Sequence, residues 1–99
     1  MAHVEMSLVA RERLERMIVT HSLPADAWVR VQRSLRKLER FPSIGRRLEG
    51  QWHELRFVVG PWRWLLIVYA YEEAIDRVLV VSIQDARSST SVTNLITPR

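Results

Sequence analysis

The chain has no cysteine, and its 99 residues include only three glycines and four prolines. Without cysteine there can be no disulfide, no thiolate metal site and no cysteine nucleophile, a composition that fits a reducing compartment, so the cytoplasm is the expected location. Lysine is almost missing: Lys37 stands alone and every other basic side chain is arginine. No apolar run approaches the roughly 18 to 20 residues that a membrane span needs. The start, Met1-Ala2-His3-Val4-Glu5, lacks a basic stretch followed by an apolar one, so neither secretion nor membrane insertion is expected. His3, His21 and His53 lack metal-ligand spacing, and no tyrosine or histidine follows Tyr71.

What is present describes a globular chain. Hydrophobic residues make up 47% and charged residues 26%, which fits one domain at this length. A chain this small buries only about 60 to 70% of its unfolded surface, so chemistry is expected on an open face or in a groove. The formal net charge is +4 and the pI about 10.6. Guanidinium groups offer a planar fork matched to phosphate and carboxylate, so the composition points to a polyanionic or acidic partner; ordinary solvated cations are the other reading.

Periodicity then orders the elements. His3 to Met6 alternates like a short strand, and Ser7 stands where a helix N-cap belongs. Ala10, Leu14, Met17 and Ile18 recur at helical spacing, and the helix should end by Thr20 to Ser22 because Pro24 cannot sit in its interior. From Asp26 to Arg40, Trp28, Val31, Leu35 and Leu38 form an apolar stripe. Arg30, Arg33, Lys37 and Arg40 form a second stripe about 200° around the helix. The short connection predicts an antiparallel helical hairpin. After the breaker Phe41 to Gly45 the period becomes two. Trp52 to Val59 reads as a strand with Leu55, Phe57 and Val59 on its buried face with His53, and with Trp52, Glu54 and Arg56 on the other. Gly60-Pro61 reads as a turn, Trp62 to Tyr71 as a central strand apolar on both faces, Glu72 to Asp76 as a turn and Arg77 to Gln84 as the last strand. The expected fold is α+β, an N-terminal strand and a helical hairpin on a twisted antiparallel sheet, with one domain over residues 1–87 and a loosely held Ser/Thr-rich tail over 88–99.

Phe41-Pro42-Ser43-Ile44-Gly45-Arg46-Arg47-Leu48, then Trp52-His53-Glu54-Leu55, then Val58-Val59-Gly60-Pro61-Trp62-Arg63 together resemble the core of the RelE/ParE toxin superfamily. In that family a proline-to-glycine turn leads into a W-x-E-L strand, and a G-x-Y-R turn opens the next; tryptophan replaces the tyrosine here. The resemblance spans roughly residues 3–87. It implies the toxin of a bacterial type II toxin–antitoxin pair, with a cognate antitoxin as partner. The implied activity is metal-independent cleavage of mRNA on the ribosome, without a cofactor; the alternative is inhibition of DNA gyrase without chemistry, and a third is an inactive relative that keeps antitoxin binding.

RNA cleavage by the 2′-hydroxyl needs a proton acceptor, cations for the phosphate and a proton donor for the leaving oxygen. By the resemblance, Arg63 matches the arginine of the Y-R motif, while Arg56 and Arg87 fall where relatives carry cations. Glu54 is the expected base, with Arg56 to keep it ionised. Each has a plainer reading: Arg63 closing an ion pair at the sheet edge, Arg56 and Arg87 as surface cations, Glu54 as a salt-bridge partner, His53 as a half-buried strand residue. Arg30, Arg33, Lys37, Arg40, Arg46 and Arg47 are the expected nucleic-acid contacts. Trp62, at a turn, is the expected stacking residue, whereas Trp28 and Trp64 suit the core. The family's usual lysines are replaced here by His53 and Glu54, and the usual tyrosine or histidine after the last strand by serines and a threonine.

Overall fold

Ser7 begins the fold as its position predicts. Its Oγ accepts the Ala10 backbone N–H at 3.1 Å, starting helix α1 (Leu8–Thr20), and donates to the Val81 carbonyl at 3.2 Å. That single hydroxyl satisfies a helix end and ties the helix to the sheet. The computed structural model describes residues 1–87, so the expected tail lies outside the described residues. Before α1 runs strand β1 (His3–Met6); after it come helix α2 (Ala27–Arg40), β2 (Arg46–Arg47), β3 (Leu55–Val59), β4 (Leu65–Glu72) and β5 (Arg77–Asp85).

The sheet order is β1-β5-β4-β3-β2. β2 to β5 pair antiparallel, as expected, but β1 lies parallel to β5, with Val4 beside Val78 and Met6 beside Val80, so the sheet is mixed. The helices connecting β1 to the rest of the sheet supply the long crossover that a parallel pair requires. Both helices pack on one face. Ala10, Leu14, Val31 and Leu38 meet Leu65, Ile67, Tyr69, Val78, Val80 and Ile83 in one buried cluster, with Trp28 and Leu35 half-buried against it. Each fully buried aliphatic there contributes about 1.5 to 3 kcal/mol of transfer free energy. The α2 stripe is therefore the helix's core face, and β4 is the central strand, buried on both sides from Leu65 to Tyr69.

Strand β3 differs from its expected form. It begins at Leu55, because Gly50–Trp52 forms a turn of 3-10 helix and His53 and Glu54 a turn. Its faces are also the reverse of the expected ones. Val58 lies opposite Ile67 and packs on the helix-side cluster, whereas Leu55, Phe57 and Val59 lie opposite Ala70, Val68 and Leu66 on the far face, with Val59 exposed. Arg56 is on the helix side, opposite Tyr69. Between them these two residues hold the loop after α2. The Tyr69 hydroxyl donates to the Pro42 carbonyl and accepts from the Gly45 N–H, both at 2.8 Å, and Arg56 donates to the carbonyls of Ser43 at 3.1 Å and Gly45 at 2.9 Å. A Cβ at Gly45 would run into the Tyr69 hydroxyl, so only glycine fits that approach.

Candidate functional site

Three connections meet at one end of the molecule: residues 21–26 between the helices, 60–64 between β3 and β4, and 85–87 after β5. The second is a tight turn, with Gly60 N–H donating to the Leu65 carbonyl at 2.9 Å and Leu65 N–H to the Trp62 carbonyl at 3.0 Å. A Cβ at Gly60 would press on the Leu65 side chain at 2.7 Å, which explains the glycine. The turn presents Trp62, Arg63 and Trp64 in succession.

The rings and cations at this end form a stacked series. His21 lies on Trp64 at 4.8 Å between centroids and 14° between planes; Trp64 neighbours Trp62 at 6.1 Å and 19°; the Arg30 guanidinium lies 5.7 Å over Trp62. Arg87 stacks on Trp64 as well, at 4.8 Å. Such contacts are worth about 0.5 to 1 kcal/mol each at exposed sites. Trp62 thus already has one ring neighbour, Trp64, and one guanidinium over it, that of Arg30. Trp64, expected in the core, is half-buried and packs against the core cluster while serving as the platform for His21 and Arg87.

Asp85 organises the polar side of the stack. It lies opposite Leu65, on the helix side of the sheet, and its carboxylate takes His21 Nε2 at 2.9 Å and the Arg87 guanidinium at 3.1 Å through both Nε and Nη2. The Arg87 bonds hold its carboxyl well below the usual carboxylate range; burial opposes this and the His21 contact adds to it. Since a carboxylate only accepts, Nε2 of the ring carries the proton facing it. Nδ1 then faces the Thr20 hydroxyl at 2.8 Å, and in the neutral ring it is the acceptor.

Beside Trp62 an open groove of about 430 Å³ is lined by Asp26, Arg30, Arg33, Ser34, Lys37 and Pro61. Arg30 is held by Asp26 at 3.0 Å. Arg33 and Lys37, one helical turn apart, have no ion-pair partner among the described residues. Like charges at that spacing disfavour the helix by a few tenths of a kcal/mol, a cost an anion would remove. Arg40 continues the line to the last turn of α2, and the expected ridge is one continuous cationic face.

The other expected residues are placed as follows. Arg63 is exposed on the turn and makes no hydrogen bond or ion pair among the described residues. Arg87 is part of the stack, and Arg56 is committed to the 43–45 backbone. Glu54 is exposed in the turn before β3, at the opposite end of that strand from Arg63, so about 17 Å of strand separates them. The structure does not bring that carboxylate to Arg63. Arg46 and Arg47 sit on the short edge strand β2, exposed and opposite Phe57 and Arg56 respectively. His53 bonds the Gly50 carbonyl through Nδ1 at 3.1 Å. Among the described residues no group of three or more His, Cys, Asp or Glu side chains is placed to hold a metal, and no helix is long and apolar enough to cross a membrane.

His21 and Asp85 were not singled out from sequence. They are 64 residues apart, and only one signal hinted at the pair: the alternation of β5 puts Asp85 on the same face as Ile83, which places an acid on the side turned toward the helices.

No protein-family model and no curated protein matches the sequence. Solved structures do match. A chain of the toxin–antitoxin complex RelBE2 from Mycobacterium tuberculosis aligns with a TM-score of 0.64 at 17% identity, covering 85% of this chain and 96% of that one. The conserved hypothetical proteins HP0892 and HP0894 of Helicobacter pylori align with TM-scores of 0.56 and 0.59, each at 17% identity and covering 86% of this chain and 94% of theirs. The chain therefore has the α+β fold of a RelBE2 toxin–antitoxin complex chain, and the resemblance of its motifs to the RelE/ParE superfamily is met at the level of fold.

Proposed function

We propose that the chain is the toxin of a toxin–antitoxin pair and that it acts on RNA in translation, cutting ribosome-bound mRNA. The fold shared with a chain of the RelBE2 complex supports the toxin assignment and a cognate antitoxin as partner. One observation carries the RNA reading: Arg63 is exposed and without an ion pair among the described residues on a tight turn, next to Trp62, and Trp62 in turn lies under Arg30 at the head of the cationic groove. A phosphate backbone held by Arg30, Arg33 and Lys37 would bring its next phosphate to this turn. There the Arg63 fork can donate two hydrogen bonds to the phosphate oxygens as charge grows on them. Arg56 contributes by fixing the loop that leads to Arg46 and Arg47.

Expressed without an antitoxin, the wild-type chain should arrest growth and deplete intact mRNA, and Arg63→Ala should do neither while folding normally. The second reading, gyrase inhibition, draws on the distance of Glu54 from Arg63, which leaves that cation without its expected base. Growth arrest with intact mRNA and relaxed plasmid DNA would decide for it.

A further inference from the structure

We infer that His21 is the proton acceptor for RNA cleavage, with Asp85 as the residue that orients it. This rests on the RNA-cleaving reading above and names the base that reading lacks. Three observations lead to it. His21 stacks on Trp64, the residue next to Arg63, so the ring packs on the same turn that carries Arg63. Asp85 accepts a hydrogen bond from Nε2–H, which fixes the tautomer of the neutral ring and leaves Nδ1 as the lone-pair nitrogen. That nitrogen meets a hydroxyl, the exposed Thr20 Oγ1 at 2.8 Å, so the site already has the geometry in which an alcohol gives its hydrogen bond to Nδ1. A ribose 2′-hydroxyl in the same position would be set up for deprotonation.

The backbone around His21 is built to hold it there. α1 closes in a C-terminal motif in which Leu23 N–H donates to the Ile18 carbonyl at 3.0 Å and Ser22 N–H to the Val19 carbonyl at 3.3 Å, with Ser22 left-handed at φ 49°. The ring is half-buried, and the charged groups facing it are Asp85 and, through Asp85, Arg87. In the reaction the 2′-oxygen bonds to the adjacent phosphorus as its proton passes to His21 Nδ1. The P–O5′ bond breaks, the departing 5′-oxygen takes a proton from water, and the products are a 2′,3′-cyclic phosphate and a 5′-hydroxyl. His21 then returns its proton to solvent, and nothing is oxidised or reduced.

The test uses the full chain and ribosomes programmed with mRNA, with single-turnover cleavage followed across pH. The expected result is cleavage by the wild type with an acidic limb in its pH profile, and for His21→Asn a rate about a hundredfold to ten-thousandfold lower with that limb gone. His21→Ala should regain part of its rate with added imidazole, the more so as pH rises. Wild-type rates with an unchanged pH profile in His21→Asn overturn the assignment. So does loss of cleavage in His21→Ala that imidazole does not restore. If the wild type itself leaves ribosome-bound mRNA intact, the RNA-cleaving reading fails first and this inference falls with it.

Discussion

Asp85 illustrates how one side chain serves both fold and site. Its carboxylate is mostly buried, bonded by Arg87 and His21, and held below the usual carboxylate range chiefly by Arg87. A carboxyl depressed in the folded state stabilises the fold above its unfolded pKa, about 3.9 for aspartate, and that contribution disappears as pH falls through the lower folded value. Asp85→Asn should therefore be less stable than the wild type at neutral pH, and thermal melts should show the gap closing as the medium becomes acidic. A gap that stays constant with pH would mean the ion pair contributes nothing. At this scale the sequence was only partly readable. The spacing puts Arg63 at the start of the strand after Gly60-Pro61; it lies instead on the turn itself, because β4 begins only at Leu65. Arg56, which the resemblance implies is a cation of the site, bonds backbone carbonyls of a loop some dozen positions away, a contact no local pattern announces.

Among the elements, those governed by local chemistry were legible. The Ser7 cap, the Trp28, Val31, Leu35 and Leu38 stripe and the two-sided apolar run of β4 all follow from spacing alone. β3 was misread for a physical reason: its neighbour β4 is buried on both faces, so apolar residues stand on both faces of β3 as well, and alternation cannot tell which one meets the helices. The parallel setting of β1 is likewise a tertiary choice, since a four-residue strand carries no mark of its partner. The end of α1 offers a test of element-level strain. Ser22 sits at φ 49°, where a Cβ costs roughly 1 to 2 kcal/mol, and glycine gives back part of that gain as chain entropy, about 0.5 to 1 kcal/mol. Ser22→Gly should leave stability unchanged or raise it by up to about 1.5 kcal/mol in denaturant melts. A clear loss would show that the serine side chain, not the turn, sustains this end.

For the whole molecule, the net charge of +4 is concentrated along α2. Arg30, Arg33, Lys37 and Arg40 span about 15 Å of helix, a length over which a nucleic-acid strand rising 3.4 Å per nucleotide carries roughly four to five phosphates. If these cations follow an RNA backbone, neutralising Arg33 and Lys37 to glutamine should weaken binding to unrelated RNAs about equally. It should also flatten the salt dependence, lowering the slope of log K against log salt by about 1.4 to 1.8. An unchanged slope would return the ridge to a solvated helix face.

The most direct test of the central claim is cleavage itself: purified chain is mixed with mRNA-programmed ribosomes and the new RNA 5′ ends are mapped. The wild type should produce discrete cuts, and a folded Arg63→Ala protein should cut about a hundredfold to a thousandfold more slowly. Intact mRNA with the wild type, or undiminished cutting by Arg63→Ala, would contradict the account.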